Sequence, residues 1–137
     1  MPLCIFHTNM SADRVSDEVH SKLSKIISEM TGSNETSITV ELRTGKKMCR
    51  AANPDVDWGF FELHAIGVSE DPDLNRERAG KILTFAETEI GLPQTSCFFM
   101  MHNNDPKHIG LGDNKLCADR PHFKNYTPIE LFNDMRS

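Results

Sequence analysis

The feature that most constrains this chain is a plan that occurs twice. An apolar strand-like run, an amphipathic helix closed by glycine and a second strand-like run come first; the same series then follows at an offset of 59 residues, with Gly32 falling on Gly91. In the first copy, residues 2–8 read as a strand. Val15, Val19, Leu23, Ile26, Ile27 and Met30 recur at helical spacing, with Ser11 and Asp13 as alternative N-caps. Gly32 is a natural stop, and residues 38–42 read as the next strand. In the second copy, residues 60–66 form a strand and Asp71-Pro72 opens a helix with a cap and a proline at the first helical position. Ala79, Ile82, Leu83, Ala86 and Ile90 make its buried stripe, and Gly91 ends it. The run Cys97-Phe98-Phe99-Met100-Met101 is apolar throughout, as expected of a strand buried on both faces.

Two βαβ units in this order predict an α+β fold, an α/β sandwich with a four-stranded mixed sheet and two helices on one face. The strands are too apolar to leave the other face in water, so sheets from several subunits are expected to cover one another. The rest of the chain, 118–137, reads as a C-terminal extension to a 1–117 domain. Its Thr127-Pro128-Ile129-Glu130 is a capping box, and a short helix over 128–135 is predicted.

With 137 residues, 38% hydrophobic and 26% charged, the chain has material for one domain with a real core. A net charge of −5 argues against nucleic acid and anionic membranes as partners. The start of the chain lacks the basic and long apolar regions of a signal peptide, so a cytoplasmic protein is expected, with any secretion by an unconventional route. Asn34-Glu35-Thr36 and Asn125-Tyr126-Thr127 are then chance glycosylation sequons. The cysteines at 4, 49, 97 and 117 show neither CxxC nor zinc-site spacing, and Cys4 and Cys97 read as reduced core residues. His7, His20, His64, His102, His108 and His122 show no ligand pattern such as HxxxH. No metal and no cofactor is expected, and His7 and His64 read as structural strand histidines. Trp58 reads as the anchor of a loop or a subunit contact.

The opening Pro2-Leu3-Cys4-Ile5-Phe6-His7-Thr8-Asn9 resembles the macrophage migration inhibitory factor and D-dopachrome tautomerase family. So do Thr31-Gly32, His64-Ala65-Ile66-Gly67-Val68 with Asn75-Arg76, and Gly110, all in the same order over residues 2–112. The resemblance implies a homotrimer with its sheets in a central barrel. It also implies a keto–enol tautomerase site between subunits for small aromatic substrates such as phenylpyruvate or dopachrome. Cytokine-like signalling through a cell-surface receptor is a further implication.

In that reading Pro2 is the general base. Methionine aminopeptidase removes Met1 before a small residue, which frees a secondary amine. An apolar pocket disfavours the cation, and the neutral amine can take a proton from carbon beside a carbonyl. The enolate then needs hydrogen-bond donors or a cation. The family carries a lysine directly after Thr-Gly, where this chain has Ser33, and a tyrosine and an asparagine where it has Phe98 and Met100. Ser33, the backbone N–H of Ile66, Phe98 and Met100 are thus the implied substrate contacts, with Lys47 or Arg50 as other sources of charge. A neutral hydroxyl replaces a charge poorly. Two functions stay open: a tautomerase of weakened activity, and a protein-binding trimer that keeps the fold with little catalysis. A plain ferredoxin-like binding module, monomeric and without the intersubunit pocket, is the blandest alternative.

Overall fold

Each repeat closes on itself by parallel pairing, and the repeats join by antiparallel pairing. The computed structural model describes residues 2–123. Strand β1 (Leu3–Thr8), helix α1 (Glu18–Thr31) and strand β2 (Thr39–Arg43) form the first unit; β3 (Gly59–Ala65), α2 (Pro72–Phe85) and β4 (Cys97–Asn103) form the second. The strand order is β2-β1-β3-β4. Strands β1 and β2 are parallel, β3 and β4 are parallel, and β1 runs antiparallel to β3 with Leu3 opposite His64 and Thr8 opposite Gly59. The expected fold class is therefore the observed one.

Alternation along the strands divides the side chains between two faces. Cys4, Phe6, Phe61, Leu63, Ala65 and Cys97 point to the helices and pack with Val19, Leu23, Ile27 and Ile82. Phe6 and Phe61 stack at 4.5 Å in the centre of this core. The opposite face carries Leu3, Ile5 and His7 on β1, Phe60, Glu62 and His64 on β3, and Phe98, Met100 and His102 on β4. No helix covers it. Within one protomer β4 is therefore covered on its helix side only, and its other face is the one expected to meet other subunits: Phe98 is 39% exposed and Met100 37%. Among the described residues it is an edge strand with one partner, and its helix-side residues Cys97, Phe99 and Met101 meet the core.

The helix starts differ from expectation. Neither Ser11 nor Asp13 caps α1. Residues Ala12–Arg14 form a single 3-10 turn, and α1 starts at Glu18 after Asp17. Val15 still reaches the core from outside the helix. The N–H of Glu18 is taken by Ser16 Oγ at 3.2 Å instead. For α2 the expected cap holds, with Asp71 accepting the N–H of Asp73 at 3.0 Å. Its buried stripe adds Leu74, Arg78 and Phe85, while Ala79 and Leu83 are only half-buried. The helix widens to a π turn over Ala86–Ile90, which rotates the stripe. Both units end alike: Gly32 and Gly91 adopt left-handed φ of 74° and 81°, and each leads to a 3-10 turn, Glu35–Ser37 and Gln94–Ser96.

Beyond β4, β5 (Gly110–Leu111) and β6 (Lys115–Leu116) make a small antiparallel ladder. Cys117 and Phe123 then bury against Ile66, with Ile109 and Leu111 beside them. The helix expected over 128–135 lies outside the described residues.

Candidate functional site

Pro2 immediately precedes β1 and is buried. Its carbonyl accepts the N–H of Thr39 at 3.0 Å, which ties the start of β1 to the start of β2. Because β1 and β2 are parallel, the turn between α1 and β2 lies at this same end of the sheet. Thr31 and Gly32 shape that turn. Thr31 Oγ1 donates to the Ile27 carbonyl at 2.7 Å and accepts the N–H of Ser33 at 3.3 Å. Ser28 Oγ donates to the Ser33 carbonyl at 2.7 Å, so the backbone of Ser33 is held on both sides. Because β1 and β3 are antiparallel, β3 also finishes here, and Ile66 follows its last residue beside Pro2. Asn103 Oδ1 accepts the N–H groups of Gly67 and Val68 at 2.9 and 3.2 Å and fixes the chain after Ile66. Ile66 itself is 6% exposed, under Cys117 and Phe123.

Three of the five expected residues, Pro2, Ser33 and Ile66, thus share one end of the sheet. Phe98 and Met100 do not join them within a protomer. Phe98 shares a row with Phe60 and His7, and Met100 with Glu62 and Ile5. At about 3.3 Å per residue, the Phe98 row lies roughly 16 Å along the strands from Pro2, and both residues are two strands to the side. Arg50 and Lys47 are remote too. The Arg50 guanidinium sits 4.5 Å over the Trp58 ring, next to Gly59 at the opposite end of the sheet, and Lys47 lines a cleft with Asn9, Cys49 and Asp57.

Trp58 does anchor a loop. Its carbonyl accepts from Thr8 Oγ1 at 2.7 Å and its N–H donates to Asn9 Oδ1 at 2.9 Å. Asn9 also reaches the Val56 carbonyl at 2.7 Å. The Thr8-Asn9 pair is accordingly a clamp for the loop that precedes β3.

Sequence reasoning missed a second cluster on the helix-free face. His7 Nε2 lies 2.6 Å from Glu62 Oε1. Glu62 Oε2 faces His64 Nε2 at 3.5 Å and His102 Nε2 at 3.7 Å. The His7 hydrogen bond, opposed by partial burial, holds the Glu62 carboxyl below the usual carboxylate range. Only the pairing of β3 with β4, which sets His64 opposite His102, brings these groups together, and no linear spacing displays it. The cysteines follow expectation: Cys4 and Cys97 are buried thiols that desolvation pushes up to about 12.

The family model of macrophage migration inhibitory factor matches residues 1–116. A macrophage migration inhibitory factor homolog of Trichuris trichiura is 27% identical over 93 residues, covering 68% of this chain and 80% of that protein. The solved macrophage migration inhibitory factor of Trichinella spiralis superposes with a TM-score of 0.75 at 18% identity, covering 83% of this chain and 98% of its own. That of Oncomelania hupensis gives 0.76 at 13%, covering 88% of each chain. The duplicated βαβ plan, the Thr-Gly cap and the buried proline thus sit within a match that spans most of the sequence: the chain belongs to the macrophage migration inhibitory factor family.

Proposed function

We propose that this protein is a keto–enol tautomerase of phenylpyruvate or dopachrome type, with the amine of Pro2 as general base and with activity weakened by Ser33. The observation that carries the reading is the burial of Pro2 at the end of the sheet where Ser33 and Ile66 also lie. With Met1 removed, an amine at that position is shielded from water, which favours its neutral form, and it can carry a proton from one carbon or oxygen of the substrate to another. The Ile66 N–H and the Ser33 hydroxyl are the donors proposed for the substrate's oxygens.

The working unit in this reading is a homotrimer. Phe98 and Met100 are exposed at an edge strand and remote from their own Pro2, so they serve the pocket of a neighbouring subunit. Their apolar side chains suit an aromatic ring, whereas the substrate's acid group has a hydroxyl where the family has lysine. That same substitution favours a second reading, a protein-binding trimer with little catalysis.

The test is steady-state tautomerisation of phenylpyruvate and dopachrome methyl ester by protein lacking Met1 and shown by sedimentation to be a trimer. Turnover that disappears in Pro2→Gly supports the enzyme. Turnover no greater than that of the variant supports the binding role.

A further inference from the structure

We infer that Glu62, His64 and His102 form a site for a divalent transition-metal ion of zinc type on the helix-free face of the sheet. One atom from each residue converges there, Glu62 Oε2 and the Nε2 atoms of the two histidines, all within 4.8 Å of one another. Two histidines and a carboxylate are an established donor set for zinc, with a fourth position left for water. A tetrahedral ion with bonds of about 2.0–2.1 Å sets its donor atoms roughly 3.3 Å apart. The two carboxylate–imidazole separations, 3.5 and 3.7 Å, come within a few tenths of that.

These separations are longer than the 2.7–3.2 Å of ordinary N–H···O hydrogen bonds. At these distances the three groups leave room for an ion between them. The His102 side chain is 43% exposed, yet its Nε2 is shielded from solvent and makes no hydrogen bond among the described residues. The imidazoles of His64 and His102 stack with centroids 4.5 Å apart and planes within 8°, so a turn of the rings about their Cβ–Cγ bonds is what aims both Nε2 lone pairs at one ion. The other Glu62 oxygen is engaged by His7 at 2.6 Å, an outer contact that orients the carboxylate. The scaffold is rigid, since Glu62 and His64 are two residues apart on β3, and His64 is in register with His102 on the paired strand β4. His64 lies opposite Leu3, so the site borders the Pro2 end of the sheet, but it does not depend on Pro2 acting as a base.

The test is equilibrium dialysis of the full-length protein, in a Cys49→Ser background that removes the exposed thiol, against Zn²⁺, with Co²⁺ absorption as a reporter of coordination. The expected result is a single saturable ion per chain and d–d bands of a low-coordinate Co²⁺ centre. His64→Ala and His102→Ala should each abolish the bands and weaken zinc at least about ten-fold, and His7→Ala should weaken it by about ten-fold while the bands remain. His102 is half-exposed, so its variant keeps the fold, as circular dichroism will verify. Lack of saturable binding, or zinc and Co²⁺ binding unchanged in the folded His64→Ala/His102→Ala double variant, would overturn the site.

Discussion

Ser33 is where this chain departs most consequentially from the pattern of its family. If Pro2 is the base, a cation at 33 should recover part of the lost binding of an acidic substrate. Hydrogen bonds to charged groups exceed neutral ones by about 1 kcal/mol, so Ser33→Lys is expected to raise kcat/KM for phenylpyruvate roughly five-fold. Steady-state kinetics on the two proteins checks this, and the gain should be absent for an uncharged ester. The cysteines give a second expectation. Cys4, Cys97 and Cys117 are buried and Cys49 is exposed. With the Cys4 and Cys97 thiols raised to about 12, both stay protonated and unreactive at pH 8. A chromogenic disulfide should therefore titrate a single thiol per native chain, lost in Cys49→Ser, and all of them after denaturation. Single residues were partly legible in the sequence. Thr31-Gly32 and Thr8-Asn9 were visible as motifs, and their work as cap and clamp became visible only with their hydrogen bonds.

At the scale of elements, β1 and β3 approach as closely as the backbone allows. A Cβ built on Gly59 would lie 2.9 Å from the His7 carbonyl oxygen, 2.9 Å from Phe6 Cε1 and 3.0 Å from Leu92 Cδ1. The first of these is backbone and the others are core atoms, so none yields cheaply. Gly59→Ala should cost about 1–3 kcal/mol, read as a lowered urea midpoint at unchanged slope. The strands and helices themselves were legible from periodicity, and the matched glycine stops predicted where both helices end. Their starts were not. Ser11 and Asp13 had the right chemistry for capping, but Val15 is held in the core by tertiary packing, and that fixes a 3-10 turn ahead of the helix. The apolar run of β4 was legible as a strand that avoids water on both faces: within a protomer the helices cover one face, and the other is the face for which the composition calls for neighbouring subunits. The Glu62, His64 and His102 cluster is a product of strand register, which no pattern along one strand encodes.

For the whole molecule, the proposed function makes one protomer half a site. Pro2, Ser33 and Ile66 gather at one end of the sheet, while Phe98 and Met100 stand on its exposed edge. The proposed homotrimer, laying each edge beside a neighbour's Pro2, would join the two halves and cover the aromatic row of His7, Phe60 and Phe98. The segment through Phe123 adds a feature to this end, since it packs onto Ile66 and so borders the position proposed for the substrate's oxygen. The central claim, that Pro2 withdraws a proton from carbon, is tested most directly by exchange. Phenylpyruvate in D₂O is incubated with the Met1-free trimer and with its Pro2→Gly variant, and loss of the methylene proton signals is followed by NMR. The account predicts exchange well above the buffer rate for the native protein and at the buffer rate for the variant. Exchange at one common rate in both would contradict it.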